Sequence, residues 1–430
     1  MTEQKPLSPD TIFALSSGQP PAAIAIVRVS GPQACAALRT LAGDVPAPRK
    51  AMLRALHDGA ALLDHALVLY FPGPGTATGE DLAEFHLHGG RAVVAAVEAA
   101  LARLPGMRRA APGEFTRRAL ANGRLDLAQA EGLGDLLTAE TEGQRRNALA
   151  LADGVLSRAV RQWRIALVDL AASIEARIDF SDEEDVPDDD GAAAPVIARL
   201  QGEMAAMLRM PPAERLRDGV RVVLGGPPNA GKSSLFNALV GREAAIATPI
   251  PGTTRDLLEY PVQLGGVAFV FIDTAGLRVA EDVIEQIGVD RAQAALASAD
   301  IVLWLGPPEK APAGAIRLLA RCDLGEAVMG PQHDHAVSVR TGEGMEALIA
   351  MLVSRGTSLL PRESEVALVA RQRESLADAC EALELASRAP DLILIAESLR
   401  SARGALDRLT GDGGVEPLLD ALFSRFCIGK

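Results

Sequence analysis

The feature that most constrains this chain is a glycine-rich loop between a predicted strand and a predicted helix. Residues 226–233 read GPPNAGKS, after the apolar stretch 220–224 and before a segment in which leucine and phenylalanine recur at helical spacing. This G-x-x-x-x-G-K-S pattern in a strand–loop–helix context is typical of a P-loop. The backbone N–H groups of such a loop cradle phosphates, Lys232 reaches the β- and γ-phosphates, and the Ser233 hydroxyl binds Mg²⁺. The loop predicts an α/β domain that binds a nucleoside triphosphate.

Two downstream segments match the phosphate-sensing elements of a switch NTPase. A predicted strand at 267–272 ends in DTAG, and GTTRD lies between this strand and the loop, at 252–256. The carboxylate of Asp273 can hold the Mg²⁺ shell, and Thr254 is placed to become a Mg²⁺ ligand. Three such elements in this order predict the Ras-like class.

The water-positioning group of this predicted site differs from that of Ras. Leu277 follows DTAG, so the glutamine that orients the attacking water is absent. Asn229 offers a carbonyl oxygen that could help hold a monovalent cation against the β- and γ-phosphates, in place of an arginine finger. The same side chain is equally suited to stabilising the loop, and the sequence leaves both interpretations open.

The segment predicted to recognise the base departs from the usual Asn-Lys-x-Asp pattern. The matching residues 320–323 read ARCD. The Asp323 carboxylate can accept hydrogen bonds from guanine N1–H and N2–H₂, which adenine does not supply. The missing asparagine and lysine remove a hydrogen bond and stacking on the base, and the last element of the pocket is Ser338-Val-Arg340. We therefore expect GTP rather than ATP, with weakened affinity.

The pattern along the chain predicts several domains. Strand-like and helical stretches alternate up to about residue 124, helical spacing follows, and it returns beyond residue 361, so that two helical segments bracket the α/β unit. The net charge of -13 gives no global attraction to nucleic acid or to an anionic membrane. With no signal peptide, no long apolar run and four scattered cysteines, we expect a cytoplasmic protein without a disulfide scaffold or structural zinc.

Further motifs outside the P-loop unit carry a resemblance to a known family. They are DTI at 10–12, VRVSGP at 27–32, TGEDLAE at 78–84, HGG at 88–90, PGEFTRR at 112–118, NGRLD at 122–126 and the terminal FCIGK at 426–430. Together with the GTPase motifs, they make the chain similar, nearly end to end, to the tRNA-modification GTPases MnmE (TrmE).

The resemblance implies a multidomain α/β fold in which a Ras-like P-loop GTPase domain is inserted in an α-helical domain and preceded by an α+β folate-binding domain. The implied boundaries are 1–124 for folate binding and dimerisation, 125–217 and 358–430 for the helical domain, and 218–357 for the inserted G domain. It further implies a homodimer that forms a heterotetramer with the flavoprotein MnmG (GidA). That complex modifies C5 of the wobble uridine of certain tRNAs, installing a carboxymethylaminomethyl or aminomethyl group.

The same resemblance implies site residues and cofactors. It assigns catalytic roles to Glu285, which would orient water, and to Cys427; without the family, Glu281 and Asp282 are equal candidates for the first role. It implies GTP, Mg²⁺ on Ser233 and Thr254, and K⁺ on Asn229, Thr248, Ile250 and Thr253. A folate such as 5-formyltetrahydrofolate would meet Arg28, Glu84, Arg124 and Lys430. The remaining nucleotide-site residues are Ala230, Gly231, Lys232, Ser234, Pro249, Pro251, Gly252, Asp273, Thr274, Ala275, Gly276, Asp323, Ser338, Val339 and Arg340.

Other interpretations stay open at this point. A regulatory GTPase in ribosome assembly or signalling would carry the same G domain without tRNA chemistry, whereas Asp323 and Thr254 disfavour an ATP-using kinase or motor. Arginines between residues 103 and 124 make a basic stretch suited to a folate tail or to tRNA phosphates, or a solvated face. Glu84, His86 and His88 alternate along a predicted strand, as metal ligands or as ordinary core and surface residues.

Overall fold

The N-terminal sheet confirms the mixed α and β fold expected before residue 124. The computed structural model describes residues 10–179, 193–241, 259–273, 294–324, 332–362 and 365–411, with Leu422, Phe423, Phe426 and Gly429. The six N-terminal strands are β1 (Thr11–Leu15), β2 (Ile24–Ser30), β3 (Met52–Asp58), β4 (Ala61–Phe71), β5 (Leu82–His88) and β6 (Met107–Arg109). Their order is β3-β4-β5-β2-β1-β6, antiparallel except for the parallel pair β1 and β6.

Side-chain alternation gives this sheet one face that packs in the main core and an opposite face. Val27 and Val29 of β2 are fully buried with Phe85 of β5 in the core. This core lies beneath the helices α1 (Ala34–Ala42) and α2 (Arg91–Ala102). Successive strand residues point to opposite faces, so Arg28 and its cross-strand partner Glu84 lie on the other face.

The second sheet has the topology that a P-loop requires. Its strands are β7 (Val220–Gly225), β8 (Glu259–Leu264), β9 (Val267–Asp273), β10 (Ile301–Trp304), β11 (Ile316–Ala320) and β12 (His335–Val337). The order is β12-β11-β10-β7-β9-β8, and all pairs are parallel except β8 with β9. The carboxyl ends of the parallel strands meet at one edge, where ligands bind in such sheets.

Ten further α-helices lie in the described part of the chain. They are α3 (Glu114–Ala121), α4 (Leu127–Thr138), α5 (Glu142–Ala152), α6 (Val155–Asp179), α7 (Ala193–Leu208), α8 (Ala213–Arg217), α9 (Lys232–Gly241), α10 (Met345–Leu359), α11 (Ala370–Arg388) and α12 (Leu392–Thr410). Arg373 of α11 donates to the carbonyls of Leu208 and Met210 at 2.6 and 2.9 Å, and so satisfies orphan groups at the end of α7. Pro390 lies between α11 and α12, where a proline cannot continue the helix.

Contacts group the chain into two units. One comprises residues 1–134, 151–164 and 403–430, and the other comprises 135–150 and 165–402. Among the helices that the structure describes, none is long and apolar enough to cross a membrane.

Candidate nucleotide and N-terminal sites

The predicted P-loop joins β7 to α9. Gly226, Asn229 and Gly231 have φ values of 139°, 60° and 95°, so the loop uses positive φ three times. A Cβ on Gly226 would lie 3.0 Å from the backbone carbon of Leu305, so a larger residue there meets both strain and a clash. Apolar Leu235 and Leu239 anchor α9 in the core beneath the loop. The position of the loop is fixed because β7 before it and α9 after it both pack into the core.

The lysine of the loop lies where phosphate oxygens would be met. Lys232 is the first residue of α9, and its ammonium donates to the carbonyls of Gly226 and Pro227 at 2.9 and 2.7 Å. Ser233 and Ser234 are exposed in the first helical turn, and Ala230 and Gly231 are half-buried before it. Backbone N–H groups at this helix start and a lysine held above them suit an anionic phosphate chain.

Strand β9 brings its last residue next to the start of this loop. Asp273 ends β9 and pairs in register with Leu224 of β7, two residues before Gly226. This strand pairing puts the start of the DTAG segment and the P-loop at the same sheet edge, as predicted.

The base-recognition segment lines a cavity of about 320 Å³ at the neighbouring strand ends. Asp323 follows β11 in a short 3₁₀ turn, and Ser338 and Arg340 follow β12. Hydrogen bonds from the buried Ser338 and then from Arg340 hold the pKa of the Asp323 carboxyl below its ordinary value. Val339 also lines the cavity and is 40% exposed. The structure thus brings together the four residues that the sequence assigned to the base.

Arg321 was not assigned to the site, yet it lines the same cavity. It has a φ of 58°, and its Nε lies 3.8 Å from where a Cβ on Gly231 would be. The planar guanidinium therefore lies at the end of the P-loop, in the place of the missing lysine. Because guanidinium groups stack on aromatic faces, Arg321 can stack on the base in place of the missing lysine.

The predicted folate residues Arg28 and Glu84 form a direct ion pair on the face of the N-terminal sheet opposite its main core. Arg28 Nη2 lies 3.1 Å from Glu84 Oε1, and His86 Nε2 lies 3.1 Å from Glu84 Oε2. The Arg28 guanidinium also lies 5.9 Å from the centre of the Phe115 ring of α3. Both oxygens of Glu84 are therefore held before any ligand arrives.

Arg124 is anchored elsewhere on the same unit. Its Nε donates to the Thr76 carbonyl at 3.1 Å, and Asn122 donates to the Thr78 carbonyl at 2.7 Å. These bonds tie the chain after α3 to the 76–79 loop. A common folate site for Arg28 and Arg124 stays a prediction, and each of the two side chains has its own partner on this unit.

The C-terminal segment contacts the end of β1. Phe423 and Phe426 are buried in a cluster with Ala130, and Ser16 Oγ donates to the Gly429 carbonyl at 2.8 Å. The tail therefore lies against β1, whose Ala14 pairs with Arg28 of β2.

Several predicted residues lie outside the part of the chain that the structure describes. They are Thr248, Pro249, Ile250, Pro251, Gly252, Thr253, Thr254, Thr274, Ala275, Gly276, Glu285, Cys427 and Lys430, together with the side chain of Asp273.

Two sequence interpretations need correction. Of the arginines in the supposed basic stretch, Arg118 is 1% exposed and binds Asp10, Glu80 and Glu114, so it is a core residue rather than a phosphate contact. Others are paired with acids too: Arg103 with Asp58, Arg108 with Asp10 and Glu114, and Arg109 with Glu98. Apart from Glu114, these acids lie outside the stretch, which is why it reads as basic.

The second correction concerns Glu84, His86 and His88 of β5, which the sequence allowed as metal ligands. His86 bonds Glu84, whereas His88 Nδ1 bonds Asp64 at 2.7 Å. No group of three or more metal-binding side chains occurs within the described ranges. The alternation along β5 therefore reflects two separate hydrogen-bonded pairs.

Comparisons with known proteins cover almost the whole chain. A family model described as the MnmE helical domain matches residues 127–427, and one described as the GTP-binding protein TrmE N-terminus matches residues 11–124. The tRNA modification GTPase MnmE of Rhizorhabdus wittichii is 60% identical over 98% of this chain and 97% of its own length. That of Erythrobacter litoralis is 55% identical over 98% and 100%. Among solved structures, the G domain of the T. maritima FeoB iron transporter is 26% identical, covers 32% of this chain and 98% of its own, and has a TM-score of 0.24.

Proposed function

The chain belongs to the MnmE family of tRNA modification GTPases, and from this premise we propose that GTP hydrolysis at its P-loop drives modification of C5 of the wobble uridine in certain tRNAs. It is a multidomain α/β GTPase. The group installed is of the carboxymethylaminomethyl or aminomethyl type. Neither the matched models nor the relatives support the alternative of a ribosome-assembly or signalling switch without tRNA chemistry.

The P-loop is the observation that carries the nucleotide-binding part of this proposal. Lys232 begins α9 directly after β7, and its ammonium lies over the loop carbonyls of Gly226 and Pro227. A lysine in this position neutralises the β- and γ-phosphates. Asp323 at the neighbouring strand end supplies the two acceptors that distinguish guanine from adenine.

The metal ions of the proposed reaction would be Mg²⁺ and K⁺. Ser233, exposed in the first turn of α9, and Thr254 are the proposed Mg²⁺ ligands. Asn229, exposed in the loop with a left-handed backbone, fits K⁺ together with Thr248, Ile250 and Thr253. A cation there would supply positive charge against the transferred phosphoryl group, and Glu285 would orient the attacking water.

The N-terminal unit is proposed to bind the folate one-carbon donor. Arg28, Glu84, Arg124 and Lys430 are the proposed contacts, with Cys427 delivered by the tail. The Ser16 to Gly429 hydrogen bond supports this arrangement, because it holds the tail one strand away from Arg28. The folate would supply one carbon for the modification, and the flavoprotein MnmG would supply FAD chemistry.

The proposed domain boundaries are 1–124, 125–217, 218–357 and 358–430. The proposed assembly is a cytoplasmic homodimer that binds MnmG as a heterotetramer. Two separate sheets support the ranges 1–124 and 218–357, because one sheet spans Thr11–Arg109 and the other spans Val220–Val337.

The test combines a purified protein with a tRNA measurement. Cells lacking the gene should lose the wobble modification by nucleoside analysis, and the wild-type gene should restore it. Lys232→Ala should abolish GTP hydrolysis and fail to restore modification. Lys310→Ala, an exposed lysine in the same sheet unit, serves as the control and should behave as wild type. Full modification with Lys232→Ala would refute the coupling of GTP hydrolysis to modification.

A further inference from the structure

The base pocket contains an ion pair that uses the guanine-recognising carboxylate. Arg340 Nε donates to Asp323 Oδ2 at 2.7 Å. The Asp323 side chain is 8% exposed, whereas that of Arg340 is 75% exposed, so the guanidinium lies on the solvent side of the carboxylate. Both residues line the cavity that would receive the base.

Guanine and Arg340 need the same acceptor. Guanine N1–H and N2–H₂ donate side by side to the two carboxylate oxygens, and Arg340 Nε–H occupies one of them. Ser338 binds Asp323 from the buried side and does not need to move. We propose that Arg340 is an internal competitor for guanine, which must leave Asp323 before the base can bind and thereby sets nucleotide affinity. This inference rests on the proposed nucleotide-binding function.

The size of the effect follows from the exposure of the pair. An ion pair with one highly exposed partner is weak, so the open state of the pocket is a sizeable minority rather than a rare state. Because apparent affinity falls by the fraction of molecules in the open state, removing Arg340 should tighten binding about two- to sixfold. The gain should lie in the association rate, since Arg340 has already left when the nucleotide is bound.

The experiment measures association and dissociation of a ribose-labelled fluorescent GDP by stopped flow, on the full chain. Arg340→Ala should raise the association rate by about two- to sixfold with little change in dissociation. Arg317→Ala is the matched control, because it removes an arginine from another surface pair of the same sheet, with Asp334 at 2.8 Å. The control should not reproduce the gain. Higher salt should reduce the difference between wild type and Arg340→Ala, since it screens the pair.

A second variant, Asp323→Asn, distinguishes competition by Arg340 from other roles of this residue. In Asp323→Asn, which keeps one acceptor but removes the charge, adding Arg340→Ala should give no further gain. Faster dissociation of GDP from Arg340→Ala would mean that Arg340 contacts the bound base, and would overturn the inference. An equal gain from Arg317→Ala, or a gain that persists in Asp323→Asn, would also overturn it. Absence of GDP binding by the wild-type chain would instead refute the proposed nucleotide site itself.

Discussion

Replacing Arg118 by methionine tests whether a buried charge network holds the N-terminal unit together. One terminal nitrogen of Arg118 donates to the Asp10 carbonyl at 3.0 Å and to both Glu80 oxygens at 3.2 Å. The other donates to Asp10 Oδ1 at 2.8 Å and to Glu114 Oε1 at 3.2 Å. Glu80 is held on its other side by the hydroxyl of Ser30. Arg118 thus joins Asp10, which precedes β1, to the 76–81 loop and to α3, and Ser30 of β2 is linked to it through Glu80.

The magnitude follows from what methionine leaves behind. Asp10 and Glu114 keep Arg108 as a cation, whereas Glu80 keeps only the Ser30 hydroxyl among its side-chain contacts described above. Removing one member of a buried ion network costs about 3 to 5 kcal/mol, here because the half-buried Glu80 is left without a cation among these contacts. The matched control is Arg109→Met, whose surface pair with Glu98 should contribute at most about 1 kcal/mol.

The assay is hydrogen exchange resolved to peptides of β1, β2 and α3, because a chain of several domains does not unfold in two states. Local opening of this unit should become about 10²- to 10⁴-fold more frequent in Arg118→Met. Arg109→Met should change it less than about tenfold.

The pH dependence has a definite sign. Burial raises the pKa of Asp10, but hydrogen bonds from Arg108 and Arg118 outweigh burial, so it lies below its ordinary value of 3.8. Burial likewise opposes ionisation of Glu114, and bonds from Arg108, Ala111 and Arg118 bring its pKa below 4.5. Their stabilising contribution is therefore present above these ordinary values and is lost as pH falls through the lower folded values.

In Arg118→Met these carboxyls lose a donor and their pKa values rise. The folded variant then takes up protons at a higher pH than wild type, so its penalty relative to wild type should shrink as pH falls towards and through the ordinary values of 4.5 and 3.8. If Arg118→Met raises local opening no more than Arg109→Met does, or if the difference between the two variants is independent of pH, the buried network does not stabilise this unit.

Four further changes test the remaining sites. Asn229→Ala should abolish the excess of GTP hydrolysis in K⁺ over Na⁺, an excess of up to about 10³- to 10⁵-fold if K⁺ replaces an arginine finger; equal wild-type rates in the two salts would refute the cation site. Glu285→Ala should slow hydrolysis while sparing GDP binding, and an equal binding defect would remove it from the catalytic residues. Ala320→Asn should tighten GTP binding about two- to tenfold by calorimetry, because it restores one hydrogen bond beside the loop; unchanged affinity would contradict this. Cys427→Ser should leave GTP turnover nearly unchanged but lower wobble modification, whereas normal modification would make the thiol structural.

The P-loop and its sheet could be predicted because their signals are local. Residues 220–224 and 267–272 are apolar runs that end at glycine-rich turns, and both form parallel strands with the expected ends. Apolar residues recur at helical spacing from Leu149 to Ile178, which indicates one long helix, but Leu149 belongs to α5. Gly154, with a φ of 77°, ends that helix before α6 begins at Val155.

The ion pairs of both sites could not be predicted, because they join residues that only the fold brings together. Arg340 lies 17 positions from Asp323, and Arg118 lies 108 positions from Asp10. In sequence, Arg118 is one more arginine of a basic stretch. Its burial depends on where α3 packs, and no local pattern encodes that.

Phosphate binding and base recognition are built on different parts of the second sheet. The phosphate side uses one continuous segment, β7 to α9, which is fixed by the left-handed Asn229 and by the core beneath Leu235. The base side uses side chains that follow β11 and β12 and reach Asp323 separately. Substitution at 340 can therefore change nucleotide affinity and exchange without altering the loop that holds the reacting phosphates, whereas Ala320 and Arg321 lie beside Gly231 of that loop. This separation explains how the chain keeps an intact P-loop while its base motif departs from the usual pattern.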